Sequence, residues 1–547
     1  MRYQCTECFH VAESPKDPIF ADCYERGHSI QTISNKKDES TAKKLYEIAS
    51  KKIKKLVISQ NNTSEVYAIV AINGHVESLN LKSSRATHWL NQVFLEVGEQ
   101  EIYSQDTYKN VINTIIARAQ ISDIKKENVY SRIAFKDREL YYDLGTTDWK
   151  IVRVTGEEID IIPYKNSLPI FRRTQTIAEQ TIPKFDDRQA ITKLTKLLHI
   201  PEKDRQIFEV HLVTLVLESV PIPIMGFTGE AGSLKTTKSA TVKRIIDPNG
   251  TRKEDNCTSF PTKNDDLVLQ LYNRYLCAFD NVTRITQEVS DTLCRAITGA
   301  NNQRRELYTN LDEVILAYKR KLVINGIVPN LDYPDLQDRI ILYDKKHITE
   351  NDRLTDEEFT IEFEKLLGFV LGNIFETLKQ AINLYDTVKS QIRPKTRLAD
   401  FEIWGESISR ALGYESNSFL TRYYEKLGEN AISAQDSHPI VTVIEHMLKD
   451  KAEYENSALG CLNDCRETAN QIGIDVKSPY VKFPKAPNQI SKELTIVAPV
   501  LQKLGINLEI GNYTKSDCKY TKNSTVITIR KTIEKSASPT SLTPFLK

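Results

Sequence analysis

The chain has 547 residues, of which 40% are hydrophobic and 27% charged, and its formal net charge is +1. This length favours three or four domains of ~100–200 residues. A charge so close to zero means that any nucleic-acid surface must be a local patch of lysine and arginine. No apolar run approaches the ~18 residues of a membrane span, and the N-terminus lacks a signal peptide's apolar region. We therefore expect a cytoplasmic protein without membrane association.

Residues 1–30 contain a candidate zinc site. Cys5, Cys8, Cys23 and His28 have the spacing C-x2-C followed by C-x4-H. Zinc prefers four cysteine or histidine ligands in a closed structural site, and His10 is an alternative ligand. Nine cysteines scattered over a long chain do not resemble a disulfide framework. We predict a zinc-finger-like domain that holds structural Zn²⁺.

Residues 31–185 predict an α+β accessory domain. A lysine-rich helix is expected from Thr41 to Leu56, and alternating segments between 55 and 79 predict paired strands with a hairpin turn at Asn73-Gly74. A helical stretch over 84–121 and short strands over 130–160 follow. This region has no primase signature, and the sequence does not say what it binds.

From residue 186 to 347, helix and strand patterns alternate, which indicates an α/β domain with a parallel sheet. A buried strand over 222–228 is followed by a glycine-containing loop and a helix that Asp247-Pro248 stops. Such a loop can cradle phosphates with its N–H groups, while a lysine reaches the β- and γ-phosphates and a hydroxyl binds Mg²⁺. The predicted ATP-binding residues are Gly229, Glu230, Ala231, Gly232, Ser233, Leu234, Lys235, Thr236 and Thr237.

One position departs from the phosphate-loop pattern G-x-x-x-x-G-K-[ST]. Leu234 stands where the second glycine is expected, and Gly232 lies two residues earlier. Lys235 and Thr236 occupy their usual places. We expect nucleotide binding to be retained and the rate of hydrolysis to be the less certain property.

Two further strands end in polar residues. The run 274–279 ends in Asp280, which can join Thr236 in holding Mg²⁺. Asn281 stands where many ATPases have a water-activating glutamate. An amide orients water but is no general base, so Glu230 and Glu288 are alternative bases.

The run 321–324 ends in Asn325, which is either a γ-phosphate sensor or a turn residue. Arg339 is either an arginine finger for a neighbouring subunit or part of a surface salt bridge.

These motifs, T-G-E-A-G-S-L-K-T-T, A-F-D-N, T-G-A-N-N-Q-R-R-E-L-Y-T-N and V-I-N-G-I followed by D-R, resemble those of superfamily 3 helicases. These are AAA+-like hexameric motors, and the primase-associated ATPases of phages, plasmids and integrated elements are the most similar type. The resemblance is strongest over 222–345. It implies catalytic roles for Lys235, Asp280, Asn281, Asn325 and Arg339, with ATP and Mg²⁺ as cofactors.

The resemblance also implies a DNA-contacting hairpin near residues 298–309. The basic residues in and after it are Arg304, Arg305, Lys319, Arg320 and Lys321. A ring of such hairpins would hold single-stranded DNA in a central channel, so a homo-oligomeric ring and primase or replication partners are expected. A solvated charged surface is the alternative interpretation of these residues.

Residues 348–435 predict a helical subdomain, and residues 436–535 a winged-helix-like domain. Helices over 458–472 and 487–504 precede two strands, Leu508–Ile510 and Val526–Ile529, with Lys515, Lys519, Lys522 and Arg530 nearby. A protein-interaction module of the same fold is the alternative. Cys461 and Cys465 are interpreted as core residues. The serine- and proline-rich tail, 536–547, is expected to be disordered.

The sequence thus predicts an α/β protein: a P-loop AAA+-like ATPase core preceded by zinc-finger and α+β regions and followed by helical and winged-helix domains. Its predicted function is that of an ATP-dependent DNA helicase or translocase in replication of a mobile or viral element. The alternative is a nucleotide-gated DNA-binding regulator or loader without unwinding activity, which Asn281 favours. A small-molecule kinase would leave both ends of the chain without a role.

Overall fold

The computed structural model describes residues 2–7, 11–12, 16, 18–33, 41–96, 104–122, 124–229, 233–283, 285–305, 313–326, 333–345, 354–437, 439–476, 483–512 and 524–531. The chain divides into two compact units, the first over 1–129 with 163–172 and the second over 130–162 with 173–547. Cys8, His10, the loop residues Glu230, Ala231 and Gly232, the wing lysines Lys515, Lys519 and Lys522, and the tail lie outside the described residues.

The N-terminal part of the first unit is a small sheet with one helix. Its elements are β1 (Arg2–Cys5), β2 (Val11–Ala12), α1 (Pro18–Glu25) and β3 (Ile30–Ile33), with strand order β2-β1-β3. Cys5, Phe20 and Cys23 form its buried centre. A centre this small holds little apolar surface, which is typical of modules that need a metal for stability.

The rest of the first unit is a four-stranded sheet with three helices. Its elements are α2 (Thr41–Lys52), β4 (Ile53–Ser59), β5 (Val66–Ile72), β6 (His75–Asn80), α3 (Ser84–Glu96), α4 (Gln105–Ile121), β7 (Lys126–Glu127), β8 (Val129–Tyr130) and β13 (Ile170–Phe171). The sheet order is β6-β5-β4-β7, and β13 pairs with β8. The predicted hairpin turn is confirmed, since Asn73 and Gly74 have φ of 47° and 84°. The predicted helix to Leu56 ends at Lys52, and the predicted helical stretch over 84–121 contains two helices.

The second unit begins with an antiparallel meander of β9 (Ile133–Lys136), β10 (Glu139–Asp143), β11 (Lys150–Val154) and β12 (Ile159–Pro163). Residues of β9 to β11 belong to the same hydrophobic core as buried residues between 190 and 423, and Tyr142 packs edge-on against Phe375 at 5.6 Å. The predicted accessory domain over 31–185 is therefore wrong in its C-terminal part. The strands near 130–160 have apolar faces that pack against later helices, which their sequence pattern does not reveal.

The centre of the second unit is a five-stranded parallel sheet. Its strands are β14 (Ile224–Gly229), β15 (Thr258–Ser259), β16 (Leu276–Asp280), β19 (Lys321–Asn325) and β20 (Ile340–Lys345), in the order β15-β16-β19-β14-β20. Its helices are α5 (Ala190–Leu197), α6 (Arg205–Thr214), α7 (Lys235–Ile246), α8 (Lys253–Asn256), α9 (Asn264–Asn273), α10 (Gln287–Thr298) and α11 (Pro334–Gln337), with a 3-10 turn at Glu202–Asp204. The predicted α/β fold with a parallel sheet is confirmed.

A two-stranded antiparallel hairpin leaves this sheet between α10 and β19. Its strands are β17 (Ala300–Arg305) and β18 (Glu313–Tyr318), with Arg304 opposite Val314 and Arg305 opposite Glu313. The hairpin lies where the sequence predicts one, and residues 306–312 between its strands are outside the described residues. A DNA contact there stays a prediction.

Helices α12 (Asp356–Gln391), α13 (Ala399–Ala411) and α14 (Ser418–Ser437) follow β20. Their apolar residues belong to the same core as the parallel sheet. A separate core lies in the C-terminal part, which contains α15 (Pro439–Met447), β21 (Glu453–Ser457), α16 (Ala458–Gln471), α17 (Pro487–Lys503), β22 (Ile506–Asn512) and β23 (Thr525–Lys531). The strand order is β21-β23-β22, so the sheet has one strand more than the two-stranded wing that the sequence predicts.

None of the described helices combines the length and the apolar character that a membrane crossing requires.

Candidate nucleotide-binding site

The predicted phosphate loop connects β14 to α7. β14 is buried and lies between β19 and β20, so its C-terminal end opens at one edge of the sheet. Gly229 ends this strand with φ 132°, a backbone conformation that side-chain-bearing residues rarely adopt. Helix α7 begins at Lys235. The strand, loop and helix therefore have the arrangement that a phosphate loop needs.

The backbone conformation of Leu234 shows why the loop pattern has glycine at this position. Its backbone is left-handed, with φ 57° and ψ 26°, immediately before the first residue of α7. A left-handed residue with a β-carbon costs roughly 1–2 kcal/mol, whereas glycine adopts this conformation freely. The backbone thus keeps the conformation for which the pattern uses glycine, and Leu234 bears the strain.

Two hydroxyls and one ammonium group surround the loop. The Oγ atoms of Thr228 and Ser233 are buried, and neither has a hydrogen-bond partner among the described residues. Leaving a buried hydroxyl unpaired costs roughly 1–3 kcal/mol. The Nζ of Lys235 donates to the carbonyl oxygen of Gly229 at 2.5 Å. Phosphate oxygens would be acceptors for all three groups, so the donor set fits a polyphosphate.

Thr236 and Asp280 form the best-defined contact of the site. The Thr236 Oγ1 donates to the Asp280 Oδ1 at 2.9 Å, joining the first turn of α7 to the end of β16. Mg²⁺ binds oxygen ligands in near-octahedral geometry at about 2.0–2.1 Å, so adjacent ligands lie about 2.9 Å apart. A hydroxyl and a carboxylate at this separation fit the hard-oxygen chemistry of magnesium.

Asn325 connects the strand ends. This buried residue ends β19, which lies between β14 and β16. Its Oδ1 accepts the backbone N–H of Asn281 at 3.1 Å, and its Nδ2 donates to the Ser239 Oγ at 3.0 Å. The side chain therefore ties the turn after Asp280 to helix α7. Both ends of the carboxamide are thus paired with protein groups, and a role as γ-phosphate sensor stays a prediction.

Gly326 allows the strand ends to approach each other closely. A β-carbon at this position would lie 2.1 Å from the carbonyl oxygen of Val282. The Gly326 N–H donates to the Phe227 carbonyl at 3.2 Å, and the Val282 N–H donates to the Asn325 carbonyl at 2.7 Å. These backbone bonds hold β14, β19 and the turn after β16 in one arrangement. The sequence contains this glycine next to Asn325, but its role depends on the tertiary contact.

The residues that could activate the attacking water differ in their exposure and contacts. Asn281 is exposed and left-handed, with φ 53°. Glu288 is exposed on α10, where its Oε1 accepts from the Asn264 Nδ2 at 3.0 Å. Glu230 lies outside the described residues. Of the two described candidates, Asn281 is the one that contacts Asn325 at the strand ends, and it has no carboxylate.

Cys257 is a site neighbour that the sequence does not reveal. Its Sγ lies 3.9 Å from the Asn325 Nδ2. Burial, and then the negative charge of Asp280, raises the pKa of this thiol to about 12. Cys257 therefore stays a neutral thiol at physiological pH. Its position follows from the pairing of Ser259 with Asp280 across β15 and β16, which a single cysteine in the sequence cannot indicate.

A cavity of about 380 Å³ lies along helix α7. One face of α7 lines it with Thr237, Ala240, Thr241 and Arg244, which follow helical spacing. Helices α8 and α12 supply the rest of the lining: Lys253, Glu254, Asn256, Asp356, Phe359, Thr360, Phe363 and Glu364, with Thr251 and Arg252 before α8. Its exposed lining surface is mostly apolar, which suits the base and ribose of a nucleotide better than its phosphates.

Arg339 is partly buried near a surface recess. Its Nη1 donates to the Asp335 carbonyl at 2.7 Å, and its guanidinium lies 3.5 Å from the Asp335 carboxylate. Asp291, Cys294, Arg295 and Thr298 complete the recess. Within one chain Arg339 thus makes the salt bridge that is the alternative interpretation. A role as arginine finger would involve a neighbouring subunit and stays a prediction.

Two of the predicted DNA contacts are wrong. The Arg320 guanidinium is buried and donates to the carbonyls of Leu271, Tyr272 and Lys319. Lys321 is 1% exposed, and its Nζ donates to the Val220 carbonyl at 2.5 Å. Both cations satisfy buried main-chain oxygens, so they are not available to phosphates. The hydrophobic pattern of the sequence around residues 319–321 does not reveal that Arg320 and Lys321 are buried.

The remaining predicted DNA contacts stay predictions. Lys319 is half-buried, and its Nζ donates to the Ser219 carbonyl at 2.8 Å. Arg304 and Arg305 lie on β17, of which only the backbone is described. Arg530, near the predicted wing, pairs with Glu453 at 2.9 Å and with Glu509 at 3.1 Å.

Three of the four candidate zinc ligands lie close together, as the sequence predicts. Ligand atoms of Cys5, Cys23 and His28 all lie within 4.8 Å of one another, and the Cys5 Sγ is 3.5 Å from the His28 Nδ1. Sulfur at about 2.3 Å and nitrogen at about 2.0–2.1 Å from a tetrahedral zinc would be about 3.6 Å apart. The three residues therefore fit a zinc ion, and Cys8 lies outside the described residues.

Comparison with known proteins gives one family match. Residues 191–427 match the family of actinomycete integrative conjugative element replication proteins. This segment contains the phosphate loop, Asp280, Asn325 and Arg339, and it covers less than half of the 547-residue chain. The chain has no significant match among curated proteins.

Solved structures that are similar to this chain include the following three, each with a low TM-score. An active helicase, the SCCmec type IV Cch, is 12% identical with a TM-score of 0.43, and the alignment covers 88% of this chain and 93% of that one. The C-terminal region of NrS-1 is 12% identical with a TM-score of 0.37, over 89% of this chain and 99% of that one. A second structure of that region is 13% identical with a TM-score of 0.37, over 88% and 98%. Similarity at this level does not establish a common fold.

Proposed function

We propose that this chain is an ATP-dependent DNA helicase or translocase of superfamily 3 type, acting in replication of a mobile or viral element. The single observation that supports it most is the 2.9 Å contact between the hydroxyl of Thr236 and the carboxylate of Asp280. It joins the phosphate loop to the acidic strand end in the way that nucleotide hydrolysis with magnesium requires. The match of residues 191–427 to a replication-protein family supports the biological setting.

In this proposal, different residues of the chain bind the phosphates, hold Mg²⁺ and orient the attacking water. The loop N–H groups, Ser233 and Lys235 would bind the phosphates, which requires Lys235 to leave the Gly229 carbonyl. Thr236 and Asp280 would hold Mg²⁺, which neutralises phosphate charge. Asn325, fixed by Ser239 and the Asn281 backbone, would orient the attacking water. Glu230 or Glu288 would have to accept its proton, because an amide does not.

The base and ribose would occupy the cavity beside Thr237. An Ala240→Leu substitution places extra atoms in that cavity without touching the loop. It should weaken ATP binding at least tenfold while leaving the affinity for inorganic tripolyphosphate unchanged. If both ligands lose affinity equally, the cavity is not where the base binds.

DNA binding and assembly are the further parts of the proposal. The hairpin of β17 and β18, with Arg304, Arg305 and Lys319 in or beside it, would contact single-stranded DNA in the channel of a homo-oligomeric ring. Arg339 would then face the nucleotide of the next subunit. In the described part of residues 439–531, three helices and three strands support a winged-helix module for DNA or for a primase or replication partner. We expect such a protein to act in the cytoplasm.

The decisive experiment measures ATP hydrolysis by the purified chain with and without a single-stranded oligonucleotide. DNA should stimulate the rate several-fold, and Lys235→Ala should abolish it. Lys196→Ala, which removes an exposed lysine of α5, is the matched control and should leave the rate unchanged. A rate that ignores DNA would refute a motor, and full activity in Lys235→Ala would refute the site.

The second candidate is a nucleotide-gated DNA-binding regulator or loader. Asn281 favours it, because the residue after the magnesium-binding Asp280 lacks the carboxylate that fast hydrolysis uses. A strand-displacement assay separates the two functions. Tight binding of ATP and DNA without displacement supports the loader, whereas ATP-dependent displacement supports the helicase.

A further inference from the structure

A cleft of about 380 Å³ lies in the first unit, between α2, the start of β4 and α4. Its inner surface is apolar, formed by Ile53, Leu56, Ile115 and Ile124, and its outer residues are Tyr46, Ser50, Lys54, Lys55 and Arg118. We propose that this cleft binds single-stranded DNA, with phosphates on its cations and a base on its apolar surface. The site is separate from the nucleotide site and does not depend on it.

The positive charge of the cleft comes from a lysine-rich segment. Residues 41–56 contain six lysines and one glutamate, although the whole chain has a net charge of only +1. Glu47 pairs with Lys43, and Glu96 pairs with Lys52 at 3.3 Å. The cleft cations therefore form a local patch, which is the form that a phosphate-binding surface must take in a chain of near-zero charge.

A β-bulge brings two consecutive lysines to the same cleft. In a regular strand, Lys54 and Lys55 would point to opposite faces of the sheet. The pairing of β4 with β5 shifts between Ile53 and Lys55, which leaves Lys54 as the additional residue. Bulges re-aim side chains in this way. Both lysines consequently line the cleft, although Lys55 also pairs with Glu127 at 2.9 Å.

Arg118 and Tyr46 provide a flat surface for a base. The Arg118 guanidinium lies 4.3 Å from the centre of the Tyr46 ring, and its Nη1 donates to the Tyr46 hydroxyl at 2.8 Å. Aromatic rings and guanidinium planes stack on bases of any sequence, and lysines beside them bind the backbone. An acidic peptide would use the cations but not the stacked planes or the apolar surface. The combination therefore favours single-stranded DNA.

The first test compares binding of a fluorescein-labelled oligo-dT by full-length variants. We expect Lys54→Gln with Lys55→Gln, which removes the two cleft lysines assigned to phosphates, to raise Kd about tenfold at low salt. The slope of log Kd against log salt should also fall by ~1.4, because each phosphate contact on a single strand contributes ~0.7. The control is Lys109→Gln, an exposed lysine nine residues before Arg118 and so on the opposite face of α4.

The second test locates the contact, because other regions of the chain can also bind DNA. An oligonucleotide containing 4-thiothymidine should cross-link, on irradiation, to the peptide that contains Tyr46. Cross-links confined to other peptides, or a Kd and slope equal to those of Lys109→Gln, would overturn the assignment. Equal competition by poly-glutamate would also overturn it, since the cleft would then recognise charge alone. Basal ATP hydrolysis without DNA should be unchanged in all these variants, whereas Lys235→Ala should lose it and keep the cross-link.

Discussion

The side chain of Asn325 holds the backbone of Asn281: its carboxamide oxygen accepts the Asn281 N–H at 3.1 Å. The same carboxamide donates to the Ser239 Oγ at 3.0 Å. One buried side chain thus connects the turn after β16 with the helix that follows the phosphate loop. Any change in Asn325 should affect the geometry of the site and the stability of the sheet together.

Asn325→Ala should reduce kcat for ATP hydrolysis more than tenfold, with a much smaller change in KM. The substitution leaves a buried serine hydroxyl and a backbone N–H without partners, so we expect it to lower the free energy of unfolding by about 1–3 kcal/mol. Steady-state kinetics and urea unfolding measure both effects. Asn470→Ala, which removes an exposed amide of α16, is the control. An unchanged kcat in Asn325→Ala would contradict the sensor role.

Leu234 should tolerate glycine but not a β-branched residue. Leu234→Gly removes the left-handed strain and should keep or raise nucleotide affinity and stability. Leu234→Val places a branched side chain at positive φ, where it should lower stability by more than about 1 kcal/mol and weaken ATP binding. Thermal unfolding and nucleotide titration of the pair check this. If valine were tolerated as well as glycine, the left-handed backbone would not be required.

Gly326→Ala should damage the site through backbone displacement. The added methyl would lie 2.1 Å from the Val282 carbonyl oxygen, so the turn after Asn281 must move. We expect a loss of about 1–3 kcal/mol in stability and at least a tenfold loss of ATP hydrolysis. Gly428→Ala is the control with the opposite sign, because that helical glycine has open space around it and alanine favours helix. Wild-type activity in Gly326→Ala would show that the strand ends are not tightly coupled.

Asp247 should determine part of the acid sensitivity of the second unit. Burial alone would raise the pKa of this carboxyl, but Lys243 at 2.6 Å and Arg132 at 3.3 Å lower it below the ordinary value. Because the folded pKa is depressed, the carboxylate stabilises the fold above the unfolded pKa of about 3.9, and this contribution is lost as pH falls through the lower, folded value.

The corresponding substitution, Asp247→Asn, leaves two buried cations without their counter-charge. We expect it to lower the free energy of unfolding at pH 7 by about 3–5 kcal/mol. The difference from wild type should shrink as pH falls below about 3.9, which urea unfolding at several pH values would show. Asp386→Asn, in an exposed pair with Arg138, should change stability by at most about 1 kcal/mol. Equal effects of the two substitutions would be inconsistent with the buried network.

Zinc should copurify with the chain at about one ion per molecule, which elemental analysis measures. Cys23→Ser should release the ion, and prolonged chelation should lower the stability of the N-terminal module, because metal binding contributes to its folding. Cys294→Ser removes a cysteine far along the sequence and should leave the zinc content unchanged. Absence of zinc from protein produced in zinc-sufficient medium would exclude the predicted site.

Local chemistry explains what the sequence by itself determined about this protein. The order of Lys235, Thr236, Asp280 and Asn325 along an alternating α/β pattern predicts a phosphate loop followed by two polar strand ends. The Asn73-Gly74 turn and the soft ligands near Cys5 are equally local signals. Each of these depends on residue types at short spacing, which one stretch of chain is enough to specify.

Tertiary structure alone decided which of those residues meet. The position of β19 between β14 and β16 brings Asn325 to Asn281 and Cys257 to Asn325, across dozens of intervening residues. Burial of Arg320 and Lys321 and the shared core of β9 to β11 were likewise not visible in the sequence. The physical reason is that burial and strand order depend on surfaces contributed by distant segments, and periodicity within one segment does not identify its partner.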